Sequence, residues 1–361
     1  MKKFLKALLI AVLAVLAVAI IYLAYVFISY HRIDDNQEIA VEGAEISNCI
    51  PAGTEQKIVT WNIGFGAYTQ DFGFFMDGGK ESWALSEEAL KLNLERIRDY
   101  QKTLDADIYL TQEVDFDSTR TYYLDERPYV IEGTGSANYT FAQNWDSAFL
   151  FYPFIRPHGT ARTGILMSSK YAITSSLRRS LPVETGIMKI VDLDRCYTVN
   201  RMPVSGEEGK ELVVYNLHLS AYTSDGTISA EQMELLVADM QEEYEKGNYC
   251  IAGGDFNKDL SGDAVTFFNT DRQDCSWAQP IPDSVFEGKD IELIFPYDGE
   301  NPVPSCREAD GPWTHDPMTQ FVVTVDGFMV SPNVEVVSSS VIDTDFYYSD
   351  HNPVEMTFIL K

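Results

Sequence analysis

The chain has 361 residues, 45% of them hydrophobic, enough to bury one large core or two small ones. Its formal charge of −28 disfavours a non-specific polyanion binder, which needs a basic footprint. No internal repeat supports a solenoid, and none of the five Cys has the Cys-x-x-Cys spacing of a thiolate zinc site.

Lys2, Lys3 and Lys6 precede an uncharged apolar run over 7–30. A helix needs roughly 20 apolar residues to cross a bilayer, whereas a cleavable signal peptide carries an apolar region of roughly 7–15. The run therefore predicts an uncleaved signal anchor over 1–30. The basic residues on its N-terminal side put that end in the cytoplasm and the rest of the chain outside. Residues 31–56 are mostly polar, contain Gly and Pro, and read as a tether. A folded domain over 57–361 follows.

Within that domain, 57–63 reads as a strand. Ser86 with Glu87 and Glu88 opens a helix whose inner face is Leu90, Leu94, Ile97 and Leu104. Residues 107–110 resume strand character and run into Glu113, and 148–152 and 163–168 are further short strands. A strand over 211–219 ends near His218. Ser229 and Gln232 form a capping box for a helix that Gly247 stops. A strand over 249–253 delivers Asp255, and strands over 321–330, 334–338 and 354–360 complete the chain. Strands and helices interleave, which predicts a layered α/β domain. Cys275 and Cys306 flank a loop-rich stretch and could pair in an oxidising compartment; five reduced thiols are the plain alternative.

The polar residues that stand out lie at strand ends. Glu113 and Asn62 offer a carboxylate and an amide oxygen, the hard donors that Mg²⁺ prefers. Asp255 and Asn257 are two apart, so on an extended chain they project to one side. They could orient a water and donate to a phosphoryl oxygen, or simply close an Asx turn. His218 lies in an apolar strand, where a structural His is the plainer reading. His351 abuts Asp350, and Asp326 is a charge in an apolar run that needs a partner such as His351.

Taken in order, Thr60-Trp61-Asn62-Ile63, Thr111-Gln112-Glu113, Asn216-Leu217-His218-Leu219, Gly253-Gly254-Asp255-Phe256-Asn257, Val325-Asp326-Gly327-Phe328 and Ser349-Asp350-His351-Asn352-Pro353 resemble the endonuclease/exonuclease/phosphatase superfamily. The resemblance covers essentially all of 57–361. It implies a four-layered α/β sandwich of two packed mixed β-sheets flanked by helices, here preceded by one transmembrane helix. It also implies a catalytic domain for metal-dependent phosphoester hydrolysis. Asn62, Glu113 and Asp350 would hold Mg²⁺, with Mn²⁺ or Ca²⁺ as alternatives. His218 would contact the phosphate, Asp255 with Asn257 would orient the nucleophile, and Asp326 would support His351. Either Asp255 or His351 would activate water. Gly327 stands where the superfamily usually has an aromatic, which predicts looser packing beside Asp326 and His351.

Specificity is expected in the long loops over 64–85, 116–163 and 269–320, which are rich in aromatics. Such side chains stack on bases, dip into a bilayer surface, or build a satellite core under the loop. Arg156, His158, Arg162 and Lys170 form a basic stretch, and Arg162 is the expected phosphate contact. The first functional expectation is a membrane-anchored phosphoesterase outside the cytoplasm, acting on a phospholipid head group or a small phosphate ester. An extracytoplasmic nuclease is the second, with nucleic acid a less favoured partner. A catalytically silent binding module is the third. The partners expected are the phosphate ester and, through 7–30, the membrane; no obligate protein partner is evident.

Overall fold

The computed structural model describes residues 1–184, 186–190, 192–221, 227–270, 277–300 and 302–361. Cys275 lies outside them, and Cys306 is a free thiol. The N-terminal run is α1 (Lys2–Ser29), 28 residues, about 42 Å at 1.5 Å per residue. It is long and apolar enough to cross a membrane, and its most apolar stretch is uncovered by the rest of the chain.

The strands and helices that follow, in chain order, are β1 (Gln37–Ile39), β2 (Val41–Gly43), β3 (Ile50–Pro51), β4 (Gln56–Asn62), α2 (Glu87–Leu104), β5 (Ile108–Asp115), α3 (Arg127–Thr134), β6 (Asn138–Asp146), β7 (Arg162–Ser169), β8 (Ser175–Ser180), β9 (Cys196–Ser205), β10 (Glu211–His218), α4 (Thr227–Glu245), β11 (Tyr249–Asp255), α5 (Ala264–Phe268), β12 (Glu292–Ile294), β13 (Cys306–Arg307), β14 (Val322–Val323), β15 (Asp326–Val330), β16 (Val334–Val341) and β17 (Val354–Leu360). One mixed sheet is ordered β16-β17-β4-β5-β7-β6-β2. The other is ordered β1-β8-β9-β10-β11-β15-β12, with β3 beside the end of β9. Residues 31–56 therefore do not hang free: β1 and β2 add an edge to each sheet.

Each sheet has a parallel pair at its centre, β4 with β5 and β10 with β11. Parallel neighbours need a crossover, and α2 and α4 supply the two. Their strands are buried on both faces and alternate between two cores. Ile58, Ile108, Leu110 and Met167 meet Met202, Leu212, Val214, Ile251 and Phe328 between the sheets. Val213, Tyr215, Cys250 and Ala252 turn the other way, onto Met233, Leu236, Val237 and Met240 of α4. Trp61, Ile63 and Leu166 face Leu90, Leu94 and Ile97 of α2. The result is the expected four-layered sandwich, helices outside and two sheets within.

Local chemistry sets several boundaries. Ser86 Oγ accepts from Ala89 N at 3.1 Å and caps α2. Gly247, at φ 84°, stops α4 as expected. The capping box does not form, because α4 begins at Thr227 and the Gln232 amide instead bonds Ser220 and the Pro182 carbonyl. The run 321–330 is broken at Thr324–Val325, where the Ser305 hydroxyl accepts from both Val325 N and Asp326 N in place of a ladder partner. No strand forms over 148–152, where only Leu150 bridges Gly159. The aromatics of 64–85 largely take the satellite-core option: Phe65, Tyr68, Phe72 and Phe74 pack into the cluster under α2.

Candidate active site

The C-terminal ends of both parallel pairs open on one rim. Register puts Asn62 beside Gln112 in the first sheet and His218 beside Asp255 in the second. Asp255 also lies opposite Asp326 on antiparallel β15. Gln112 and Asn216, both buried, join the sheets at this rim through a 2.8 Å hydrogen bond. A cleft of about 380 Å³ opens above, lined by Glu113, His218, Asp255, Asn257, Asp350 and His351, among others.

Glu113 reaches the cleft through a break in strand register. β5 bulges against β7 between Thr111 and Val114, and Glu113 takes a left-handed φ of 54°. A bulge of this kind re-aims a side chain, and a non-glycine residue adopts the conformation only when its surroundings hold it there. Asn62 Nδ2 donates to Glu113 Oε1 at 3.1 Å and to Asp255 Oδ2 at 3.0 Å. The Asn62 amide oxygen, expected to face a metal, accepts from Gly64 N at 3.0 Å. Gly64 has φ +52°, and a Cβ there would stand 2.9 Å from Asp350 Oδ1. Only glycine lets this turn pass so close to the carboxylate.

The Asp-x-Asn pair is not extended. Asn257 has φ 50°, its N–H donates to Asp255 Oδ1 at 2.8 Å, and its Nδ2 is held by the Leu219 carbonyl. An Asx turn and a cleft-lining pair are thus the same structure.

His351 Nδ1 lies 2.7 Å from Asp326 Oδ2, and its Nε2 is 3.9 Å from Asp255 Oδ2 and 3.5 Å from Cys306 Sγ. Ser349 Oγ and Trp61 Nε1 hold the surrounding backbone. Burial opposes charge on His351, but the adjoining Asp326 outweighs it and raises the imidazole pKa well above its ordinary value. His218 Nε2 is 3.5 Å from Asp255 Oδ2. Burial, reinforced by Arg195, pulls His218 well down, so it is neutral. Burial and then Asp326 lift Asp255 to about 7. Burial, with Glu113 nearby, lifts Asp350 to about 6. Gly327 does not loosen this wall, because Leu260 fills the space that an added Cβ would enter, 2.7 Å away.

The donor set fits a hard cation. Glu113, Asp255, Asp326 and Asp350 crowd carboxylates around one rim, and their mutual repulsion favours a bound positive charge. Asp255, Asp326 and His351 lie close enough to hold an ion among themselves. However, the short His351–Asp326 hydrogen bond already occupies Nδ1, which favours Glu113 and Asp350 as the ligands.

Arg162 is elsewhere. It is half-exposed, lies outside the cleft lining, and is paired with Asp117 and Asp146. The cleft contains Arg120, Arg195 and Arg307 instead. Arg120 forms a fork onto Asp115, both bonds 2.9 Å, and Arg307 donates through its Nη atoms to backbone carbonyls. Arg195 keeps buried Nε and Nη1 without a partner among the described residues. Nothing in Asp192-Leu193-Asp194-Arg195 announces this, since the signal is the missing partner.

The sequence pattern of the endonuclease/exonuclease/phosphatase family matches residues 59–351. A structure described as an endonuclease/exonuclease/phosphatase from Beutenbergia cavernae is similar over 85% of this chain and 72% of that one, with 16% identity and TM-score 0.54. One from Bacteroides vulgatus covers 85% and 100%, with 16% identity and TM-score 0.53. ANGEL2, a 2′,3′-cyclic phosphatase, covers 90% and 99%, with 14% identity and TM-score 0.54. No curated protein matches the sequence.

Proposed function

The chain belongs to the endonuclease/exonuclease/phosphatase family, and from that membership we propose that it is a divalent-metal-dependent hydrolase of phosphate esters, anchored in a membrane by α1. The observation that carries this reading is the His351–Asp326 hydrogen bond of 2.7 Å, with the imidazole's other nitrogen turned into a carboxylate-rich cleft. Glu113 and Asp350, with Asn62 behind them, are the residues to hold the cation, Mg²⁺ first. When bound, it would supply positive charge against the phosphoryl oxygens.

The chain's own groups supply the rest. Asp326 holds His351 protonated, and Nε2–H faces the position where charge grows on a phosphoryl oxygen. Asp255, lifted to about 7, is a base suited to neutral pH and takes the proton of the attacking water. Neutral His218 donates beside it, and Asn257 fixes the turn that aims it. Arg195 takes the part first expected of Arg162, offering phosphate oxygens two donor nitrogens, Nε and Nη1, that have no partner among the described residues. The basic N-terminal flank supports a cytoplasmic N-terminus with the domain outside. A nuclease is the weaker reading, given the charge of −28.

The test is a hydrolysis panel on the purified full chain with Mg²⁺: a water-soluble phosphodiester, a phosphomonoester, phospholipid and DNA. Release from a non-nucleic ester supports the reading. Cleavage of DNA alone replaces it with a nuclease, and inertness toward every ester contradicts it.

A further inference from the structure

The loop expected to be a strand over 148–152 leaves its apolar side chains in the open. Two backbone hydrogen bonds between Leu150 and Gly159, 2.9 and 3.0 Å, clasp its base. Beyond the clasp, Phe151, Tyr152, Phe154 and Ile155 are 51, 63, 74 and 100% exposed, and no residue from 147 to 155 is charged. A contiguous patch of this kind marks an interaction site.

The same loop lies along the last turns of α1. Tyr22 Oη donates to Phe149 O and accepts from Phe151 N, and Tyr25 Oη accepts from Phe149 N, each at 3.1 Å. The Tyr22 and Phe151 rings are 5.9 Å apart. Tyr22 sits about 10 Å short of the helix end at 1.5 Å per residue, inside the apolar run, so the loop that it bonds lies level with the last turns of α1. The tyrosine hydroxyls satisfy loop backbone groups, as an apolar medium demands.

The loop is also continuous with the cleft. Trp145 and His158, on either side of it in sequence, both line the cleft, with ring centres 5.5 Å apart. Phe75 stands against His158 and Tyr152, at 6.0 and 5.9 Å. A chain with a net charge of −28 has little electrostatic attraction for an anionic bilayer, so attachment beyond the anchor has to be apolar.

We propose that residues 149–155 insert into the leaflet from which the domain emerges, beside α1, and hold the cleft mouth on the lipid headgroups. The phosphate ester that the cleft takes is then that of a membrane phospholipid. The substrate half of this proposal rests on the phosphoesterase reading above; the docking half does not.

The experiment uses the full chain in nanodiscs of phosphatidylcholine doped with phosphatidylglycerol. An environment-sensitive fluorophore on Ile155→Cys, in a Cys49→Ser/Cys275→Ser background, should shift blue and be quenched by nitroxide-bearing lipids. The same label on Glu208→Cys, in the β9–β10 turn at the opposite rim, should not. Equal, solvent-like signals at both positions, or a blue shift without lipid quenching, as burial between two copies of the chain would give, would overturn the docking. In parallel, Phe154→Asp/Ile155→Asp should cut headgroup release from the nanodisc lipid by about tenfold or more. It should leave hydrolysis of a water-soluble phosphodiester within about twofold of the parent. Equal loss on both substrates, or no loss on lipid, would overturn the substrate half. A parent inert on both, and on a phosphomonoester, would defeat the phosphoesterase reading, while the label still decides the docking.

Discussion

His351 is held by side chain and backbone together, so its replacement tests the site without undoing the core. A positioned proton donor or charge stabiliser is worth about a hundredfold or more in rate. His351→Ala should lose that much turnover at saturating metal while circular dichroism stays unchanged. Asp326→Asn should fall between parent and His351→Ala, since it keeps the hydrogen-bond geometry but removes the charge that holds the imidazole protonated. Near-normal turnover in His351→Ala would remove the imidazole from the chemistry. Arg195 and Arg162 offer a paired test. Losing a hydrogen bond to a charged group costs about 1.5–3 kcal/mol, so Arg195→Ala should raise KM about ten- to a hundredfold. Arg162→Ala should leave kinetics unchanged, because its guanidinium serves Asp117 and Asp146 at the surface. Equal effects in both variants would contradict the assignment. Most of the candidate site is legible in the sequence because strand ends and short ordered motifs carry it. Arg195 is not, because what distinguishes it is a partner it lacks among the described residues.

At the scale of elements, Glu243 fastens α4 to the second sheet. It accepts from Arg201 on β9, from Lys246 and from Asn248. Burial raises its pKa, but these donors outweigh it and hold the carboxyl down at about 2. A depressed carboxyl stabilises the fold above its unfolded value near 4.3, and that stability is lost as pH falls through about 2. Glu243→Gln should therefore cost about 1–3 kcal/mol at pH 7, with the gap to the parent narrowing as pH drops from about 4.5 toward 2. Thermal unfolding of the full chain in detergent across that range checks it, and a gap independent of pH would contradict it. Legibility at this scale follows how local the determinant is. Ser86 capping and the α2 face are local, and they read directly. The false strand over 148–152 has β-like composition but no sheet to bury it. The break in 321–330 depends on Ser305, far away in sequence.

At the scale of the molecule, α1 and the sandwich set the geometry of the whole. The long apolar run is the clearest signal in the chain, and the docking of 31–56 onto both sheets is the least legible, because short edge strands need partners that sequence does not name. If the lysine bias sets orientation, protease added to intact cells should remove the domain. Protection, under conditions that cleave a known surface protein, would reverse the topology. In the proposed function, the crowded carboxylates of the cleft serve a divalent cation during phosphoester hydrolysis. The direct measurement is turnover of a water-soluble phosphodiester by the full chain after chelator treatment, then after adding back Mg²⁺ or Mn²⁺. In the parent, activity should disappear with chelator and return with metal. Glu113→Gln should need far more metal for the same rate. Full turnover by the metal-free protein would contradict it.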